Sequence, residues 1–173
     1  MNDELMKDLI KEAKKGNAES FGRLYAELSR ELYRFALYYL HTEQDAEDAV
    51  QEAALTAYKN IRSLNKPEAF RSWFFKILSN ECKKILMKRS SRPETPVDEF
   101  PCLDDPSADD HALRFELAGL LDALPDDDRL IVLLCVLEGY SSKEVASITG
   151  MKANTVRSRL SRSLHKLRTE LES

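Results

Sequence analysis

SSKEVASITGMKANTVRSRLSRSLHKLR (residues 141–168) contains two short apolar periodicities that a glycine separates. Ser141, followed three residues later by Glu144, forms a capping-box pattern and predicts the start of a helix of about eight residues. Gly150 suits a tight turn, because glycine adopts backbone angles that other residues avoid. A second helical pattern covers residues 153–170. The stretch therefore predicts a short helix, a turn and a longer helix.

The longer helix carries its cations away from its apolar stripe. The stripe expected to pack inside consists of Val156, Leu160, Leu164, Leu167 and Leu171. Residues 152–168 hold six basic side chains and no acidic one. Such a helix fits the major groove of DNA, where arginine reads guanine and cations neutralise phosphates. An ordinary solvent-exposed charged face is the alternative.

We expect the stretch to be a DNA-binding helix-turn-helix. The contacts expected on its outer face are Lys152, Asn154, Thr155, Arg157, Ser158, Arg159, Ser161, Arg162 and Lys166. Two further helices are expected upstream, at residues 113–124 and 126–137, ended by Pro125 and Gly139. Since the chain ends shortly after the last helix, we expect no additional regulatory domain there.

The acidity of the chain is concentrated in residues 93–112. This segment carries seven acidic side chains, no lysine or arginine, and four of the six prolines. Prolines and like charges keep a segment extended. We therefore expect an all-α protein in which an acidic flexible linker joins two small helical domains, residues 1–92 and 113–173.

Four helices are expected in the first domain. Their approximate ranges are 3–15, 18–40, 42–60 and 67–89. Thr42 is placed to cap the third helix, and Pro67 suits the first turn of the fourth.

The third and fourth helices have opposite charge. Residues 42–52 hold five acids and no base, whereas residues 62–92 hold nine bases and two acids. Cations interleaved with aromatic rings suit single-stranded nucleic acid, because the charges bind the backbone and the rings stack on bases. Trp73 and Phe74 continue the inner stripe of the fourth helix and are expected in the core. Phe75 falls off that stripe and is the aromatic residue expected to be exposed.

Three stretches carry a family resemblance. They are DAEDAVQEAALTAYKNI (45–61), FRSWFFKILSNECKKILMKR (70–89) and LDALPDDDRLIVLLCVLEGYSSKEVASITGMKANTVRSRLSRSLHKLR (121–168). In this order they resemble the extracytoplasmic-function (ECF) group of bacterial RNA polymerase sigma factors, in the sigma-70 family. The resemblance implies a region 2 helical bundle and a region 4 helix-turn-helix. It also implies a subunit without catalytic activity that directs polymerase to −35 and −10 promoter elements and assists melting.

The resemblance implies specific polymerase contacts. The acidic helix would dock on the coiled-coil clamp of the β′ subunit through Asp45, Asp48, Gln51 and Glu52. Acids of this kind in a first helical turn are also favoured simply by the helix dipole. Apolar surface of the C-terminal domain would meet the β flap. The linker would thread the RNA channel of the polymerase, or serve only as a solubilising tether.

The resemblance also assigns the −10 element to the first domain. The loop at residues 61–69 would capture a flipped base, and the next helix would hold the melted strand. The expected −10 contacts are Arg62, Asn65, Lys66, Arg71, Phe75, Asn80, Lys83, Lys84 and Lys88. Lys66-Pro67 stands where relatives often have glycine or arginine, so the base recognised stays open.

The expected partners are core RNA polymerase, promoter DNA and an anti-sigma factor, with the free chain a monomer. We expect no cofactor and no metal site, because the three cysteines and three histidines lack ligand spacing. No run approaches the roughly 18 apolar residues of a membrane span, so a cytoplasmic protein without membrane insertion is expected. A redox role for Cys102, in the linker, stays open.

Two other functions fit parts of the sequence. A free-standing helix-turn-helix regulator would bind an inverted repeat as a dimer, but it leaves the acidic and basic helices of the first domain unexplained. An enzyme would use Asp45, Glu47 and Asp48 on a metal, but no second carboxylate cluster or glycine-rich phosphate loop accompanies them.

Overall fold

The computed structural model describes residues 2–91 and 117–173 and shows two helical domains there. The helices of the N-terminal domain are α1 (Asp3–Lys14), α2 (Ala18–Leu40), α3 (Glu43–Asn60) and α4 (Phe70–Ser90). Two 3-10 turns, Ile61–Ser63 and Pro67–Ala69, connect α3 to α4. The acidic linker and Cys102 lie outside the described residues.

The C-terminal domain contains four further helices. They are α5 (described for residues 117–122), α6 (Asp126–Val132), α7 (Ser142–Thr149) and α8 (Ala153–Leu171). A π-helical turn, Leu133–Leu137, extends α6. The expected all-α fold of two helical domains is therefore confirmed.

The helix ends follow from capping side chains that the sequence indicates. The side chains of Asn17 and Thr42 accept hydrogen bonds from the backbone N–H groups of Ser20 and Asp45. Each bond satisfies one of the N–H groups that a helix start leaves without a partner. α2 ends at His41, whose φ of 63° places it in the left-handed region.

Small residues on α3 bring the helices of the N-terminal domain close together. Ala46, Ala49, Ala53 and Ala57 are fully buried and lie where α2 and α4 both pack on α3. Aromatic side chains fill the remaining space. Those in mutual ring contact include Phe21, Phe35, Phe70, Phe74 and Phe75.

The apolar stripe of α8 differs from the predicted one. Val156 is buried, and Leu160 and Leu167 are partly buried, as expected. Leu164 and Leu171 are exposed, and Ser163 is buried instead. At about 100° per residue, position 163 lies about 20° from position 156 on the helical wheel, whereas position 164 lies about 80° from it.

Arg129, on α6, links the two domains by capping the end of α2. Its Nη1 donates to the backbone oxygen of Tyr39 at 3.0 Å and lies 3.0 Å from Nε2 of His41. The last turn of α2 contains no basic residue of its own. Since a helix C-terminus leaves carbonyl groups without partners and favours a cation, the C-terminal domain supplies what α2 lacks.

A second cross-domain contact surrounds Glu138, just after the π-helical turn. Its carboxylate accepts hydrogen bonds from Arg34 of α2 at 3.4 Å and from Arg71 of α4 at 2.8 Å. The Glu138 side chain is fully buried. The Arg71 guanidinium also lies over the rings of Phe75 and Tyr140. We call Glu138, Arg34 and Arg71 the Glu138 cradle.

Within residues 2–91 and 117–173, no helix has the length and apolar character needed to cross a membrane. In the same part of the chain, His, Cys, Asp and Glu side chains nowhere converge in a group of three that could hold a metal ion.

Candidate nucleic-acid interface

Capping interactions at the two ends of α7 determine the geometry of the helix-turn-helix. The Ser141 hydroxyl accepts from the Glu144 N–H, and the Glu144 carboxylate accepts from the Ser141 N–H at 2.8 Å, which completes the capping box. Gly150 ends α7 with a φ of 76°, and its N–H donates to the Ala146 oxygen. A residue with a side chain would be strained there, so glycine determines how α8 leaves the turn.

α8 presents most of its predicted DNA contacts on one exposed face. The residues exposed there are Asn154, Thr155, Arg157, Ser158, Ser161 and Arg162. Arg157 donates to the Asn154 side chain at 2.6 Å, so the two groups are already ordered relative to each other. His165 lies on the same face and was not anticipated, because a single histidine gives no signal in the charge pattern.

Two of the predicted −35 contacts, Arg159 and Lys166, lie at the edge of this face and bind groups of their own, C-terminal domain. Arg159 Nη1 lies 3.0 Å from a carboxylate oxygen of Asp128, in the first turn of α6. Lys166 Nζ donates to the backbone oxygen of Ala123 at 2.6 Å. Arg159 therefore ties α8 to α6, and Lys166 ties it to the turn that precedes α6. Lys152 is exposed just before α8.

The exposed face of α4 contains part of the predicted −10 set. Asn80, Lys84 and Lys88 are exposed along it. Lys76, four residues before Asn80, extends this face, and Trp73 lies next to it partly buried. Spacing by four from Asn80 would have identified Lys76. Trp73 was expected in the core together with Phe74; Phe74 is fully buried, but Trp73 is only partly buried.

The prediction that Phe75 is exposed is wrong. Its ring is fully buried and lies in edge contact with Phe35 and Tyr140, at centroid distances of 5.4 and 5.7 Å. The side of α4 that appeared free in the sequence is covered by the C-terminal domain. Phe75 therefore cannot stack on a base in this arrangement.

Two cations of the predicted −10 set, Arg71 and Lys83, form ion pairs with acidic residues of the C-terminal domain. Arg71 belongs to the Glu138 cradle and in addition pairs with Glu31 at 2.9 Å. Burial lowers the pKa of Arg71, but Tyr140, Glu31 and Glu138 outweigh this and raise it. Lys83 lies 3.2 Å from Asp127 of α6. Both side chains would have to leave acidic partners to meet DNA.

All three predicted contacts of the loop at 61–69, Arg62, Asn65 and Lys66, are exposed to solvent. Asn65 and Lys66 are exposed between the two 3-10 turns, while Ile61 and Leu64 anchor the loop in the core. Arg62 donates through Nε to the backbone oxygen of Lys14. The loop thus has a fixed base and an exposed polar tip.

The outer face of α3 is acidic and also exposes the apolar side chain of Leu55. Asp48, Gln51 and Glu52 are exposed, and Leu55, which is 52% exposed, lies on the same face. Sequence reasoning missed Leu55, since a single leucine there resembles a core position. The four residues form what we call the α3 face.

Asp45 has a different environment from the α3 face. It is partly buried and forms an ion pair with Arg89, which also donates to the Leu40 oxygen at 2.8 Å and to the Thr42 hydroxyl at 3.0 Å. Arg89 therefore ties the end of α4 to the junction between α2 and α3. Asp45 contributes to this structural link.

A groove beside the α3 face contains aromatic and charged side chains. Its lining residues are Tyr25, Ser29, Arg30, Tyr33, Glu47, Val50 and Gln51. Burial raises the pKa of Tyr33, and the carboxylates of Glu43 and Glu47 raise it further. The groove makes the α3 face concave along α2.

The C-terminal domain carries an apolar groove. Its lining residues are Tyr38, Leu117, Leu121, Val132, Leu133, Val136 and Leu137. Val136 is 62% exposed. We call this the α5–α6 groove. One wall of the groove is Tyr38 of α2, so the N-terminal domain covers part of the groove.

Family models match both domains. Residues 24–92 match Sigma-70 region 2, and residues 114–167 match Sigma-70, region 4. The two matches follow each other in the order that the sequence motifs indicate.

Curated relatives cover most of the chain. RNA polymerase sigma factor SigV of Bacillus subtilis is 33% identical over 142 residues, 82% of this chain and 85% of that protein. ECF RNA polymerase sigma factor SigM of Mycobacterium tuberculosis is 30% identical, over 88% of this chain and 77% of its own length. The ECF sigma-E factor of Escherichia coli is 27% identical, over 89% and 87%.

Solved structures share the fold. CnrH, in complex with the cytosolic domain of CnrY, superposes with a TM-score of 0.74 at 24% identity and covers 97% of each chain. RpoE of Bartonella quintana, in complex with the anti-sigma factor NepR, gives 0.76 at 24% identity and covers 90% of this chain and 98% of that one.

Proposed function

The chain belongs to the ECF group of the sigma-70 family and is an alternative RNA polymerase sigma factor, and from this premise we propose how its surfaces divide the work. The N-terminal domain, residues 1–92, binds core polymerase and the −10 element. The C-terminal domain, residues 113–173, binds the −35 element. The observation that carries this division is the exposed face of α8, which holds cations and short polar side chains without an acid.

At −35, we propose that α8 enters the major groove. Arg157 and Ser158 lie in its first turns, where residues of a recognition helix reach base edges. Arg162 and Lys152 are placed to neutralise phosphates on either side. Because few of these side chains can read bases directly, groove shape contributes to the recognition.

At −10, the loop at 61–69 captures a flipped base and the exposed face of α4 follows the strand. Asn65 and Lys66 form the tip of the loop. Lys76, Asn80 and Lys84 would bind backbone phosphates along α4, and Trp73 is the ring nearest to this face. Arg71 and Lys83 join this surface only after they release Glu138 and Asp127.

The α3 face is the proposed docking site for the β′ clamp. Its acids would steer a basic partner, and Leu55 would supply the buried apolar anchor that protein interfaces require at their centre. We propose the α5–α6 groove as the site for the β flap, since it offers a concave apolar surface with Val136 exposed.

Two further parts of the proposal concern partners and activity. The protein acts as a monomeric, non-catalytic specificity subunit in the cytoplasm, where polymerase and promoters are. An anti-sigma factor is proposed as its inhibitor, supported by the fold shared with RpoE, a sigma factor solved in complex with the anti-sigma factor NepR.

Transcription from a pool of random promoter fragments tests the proposal. Core polymerase with the protein should start at specific sites, and core alone should not. The enriched sequences should contain separate −35 and −10 elements, and variants of α8 should alter only the −35 element. If core gains nothing, while the protein alone retains fragments with an inverted repeat, the protein is a free-standing dimeric regulator.

A further inference from the structure

The end of α1 and the loop at 61–69 hold each other through two reciprocal hydrogen bonds. Lys14 Nζ donates to the backbone oxygen of Leu64. Arg62 Nε donates to the backbone oxygen of Lys14 at 3.0 Å. Each side chain thus binds the backbone of the other segment, across about fifty residues of sequence. We call this pair the α1 clasp.

Both carbonyl groups lie where regular structure leaves them without a partner. Lys14 is the last residue of α1, and a helix cannot satisfy its own final carbonyls. The Arg62 guanidinium also complements the negative end of the helix. Leu64 lies between the two 3-10 turns, with an extended backbone. The clasp therefore gives each of these two carbonyl oxygens a hydrogen-bond donor.

Apolar packing reinforces the clasp. Ile10 and Ala13 on α1 are 1% exposed, and α1 contacts both 3-10 turns of the loop. Ile61 and Leu64 are buried on the loop side. The loop is thus anchored on α1 through Ile61 and Leu64, while its polar side chains, Asn65 and Lys66 among them, are exposed.

We propose that Lys14 is a positioning residue for base recognition: it fixes the shape of the loop at 61–69 and so determines how strictly the loop selects a base. The inference rests on the proposed role of this loop at the −10 element. Flipping a base out of the stack costs free energy, which contacts in the pocket must offset. The pocket favours one base over the others only when its walls are already held in the binding conformation. α1 supplies that support without touching DNA.

This assignment gives Arg62 a role in the clasp in addition to its expected place among the −10 contacts. Lys14 is the better residue to test, because it lies on α1 and no DNA contact was predicted for it. Lys14→Met removes the donor but keeps an unbranched apolar stem. Lys14→Arg keeps a donor. Lys11→Met is the matched control, since Lys11 is exposed on the last turn of the same helix.

The first measurement is the base preference of holoenzyme formed from the full chain and core polymerase. Single-stranded −10 oligonucleotides with each of the four bases at each position serve as probes. Wild type should prefer one base at the captured position by about tenfold or more. Lys14→Met should reduce that ratio to about twofold, with −35 duplex binding unchanged, while Lys14→Arg and Lys11→Met keep the ratio.

The second measurement is hydrogen exchange of the free chain. Lys14→Met should speed exchange about tenfold at amides in residues 61–69, with the melting temperature and the exchange of the other helices unchanged. Lys11→Met should leave the loop as protected as in wild type.

The outcomes separate this inference from the proposed function. A wild type that selects a base, with a Lys14→Met variant that selects it equally well, overturns the inference alone. So does an equal loss of affinity for all four bases, because that indicates only a structural role. A wild-type holoenzyme with no preference at any −10 position overturns the proposed role of the loop, and the inference with it.

Discussion

Glu138, on the C-terminal domain, lies 2.8 Å from Arg71 on α4, and its carboxylate is completely buried between the two domains. Burial raises the pKa of Glu138, and the guanidinium groups of Arg34 and Arg71 offset part of that shift. A buried carboxylate with two cationic partners is costly to leave unpaired. The Glu138 cradle therefore makes the packing of the domains sensitive to single charges.

Glu138→Gln should loosen this packing. The substitution removes the counter-charge that two guanidinium groups share. Because both guanidinium groups are more than a third exposed and Arg71 keeps Glu31, we expect a cost of about 1 kcal/mol. Small-angle scattering of the free chain should show an increased radius of gyration, with the helical circular dichroism unchanged. Glu31→Gln is the control, because Glu31 pairs with the same Arg71 but belongs to the N-terminal domain and is 39% exposed. An unchanged scattering curve for Glu138→Gln would contradict this prediction.

His41 should make the protein less stable in mild acid. Burial lowers the pKa of His41 to about 4, against the opposing effect of Asp122 and with help from Arg129 and Arg89. His41 therefore binds a proton more readily in the unfolded chain than in the folded one. Its contribution to the free energy of unfolding is complete above about pH 6.5 and is lost as the pH falls towards 4. Its full size is about 3 kcal/mol.

Urea unfolding at pH 7 and pH 5 measures the effect of His41. The wild type should lose about 2 kcal/mol more than His41→Asn over this interval. Asparagine is the suitable replacement, because it does not titrate and tolerates the left-handed backbone of this position. Equal losses in the two proteins would show that His41 does not carry the pH dependence.

Two arginines of α8 should affect promoter binding differently. Arg157→Ala should relax selectivity at one −35 position by about 1–3 kcal/mol. Arg162→Ala should weaken all −35 duplexes alike and reduce the salt slope by about one. Holoenzyme binding at several salt concentrations measures both. Arg168→Ala is the control, since Arg168 lies near the end of α8 and pairs with Glu172; a similar loss there would argue against groove entry.

Leu55 should be the apolar anchor for core polymerase. Leu55→Ala should weaken binding to core about tenfold, equivalent to about 1.4 kcal/mol, without lowering the melting temperature. Leu171→Ala is the matched control, because Leu171 is similarly exposed at 61% but lies at the end of α8. Equal affinities of Leu55→Ala and wild type for core would remove the α3 face from the proposal.

Local signals in the sequence were sufficient for the helices and their ends. Thr42, Ser141 and Gly150 each act through neighbours within four residues, so their roles follow from the sequence alone. The apolar periodicities gave the ranges of α1, α2, α3 and α8 to within one residue, whereas α4 begins at Phe70, three residues after its predicted start.

Contacts between the domains could not be predicted in the same way. Phe75 and Arg71 are placed by Glu138 and Tyr140, more than sixty residues away in sequence. No periodicity within α4 reports the presence of a second domain on that side. The position of Leu164 was misjudged for a simpler reason, because leucine at a four-residue step resembles a core position more than Ser163 does.

The Glu138 cradle also affects how affinity should be measured. Arg71 cannot bind Glu138 and a phosphate at once, so only chains with separated domains offer it to DNA. If one chain in a hundred is open, the apparent dissociation constant for the strand is about a hundred times the intrinsic one. A polymerase that holds the domains apart removes this factor. Thermodynamic linkage then requires promoter DNA to tighten the binding of the chain to polymerase by the same factor.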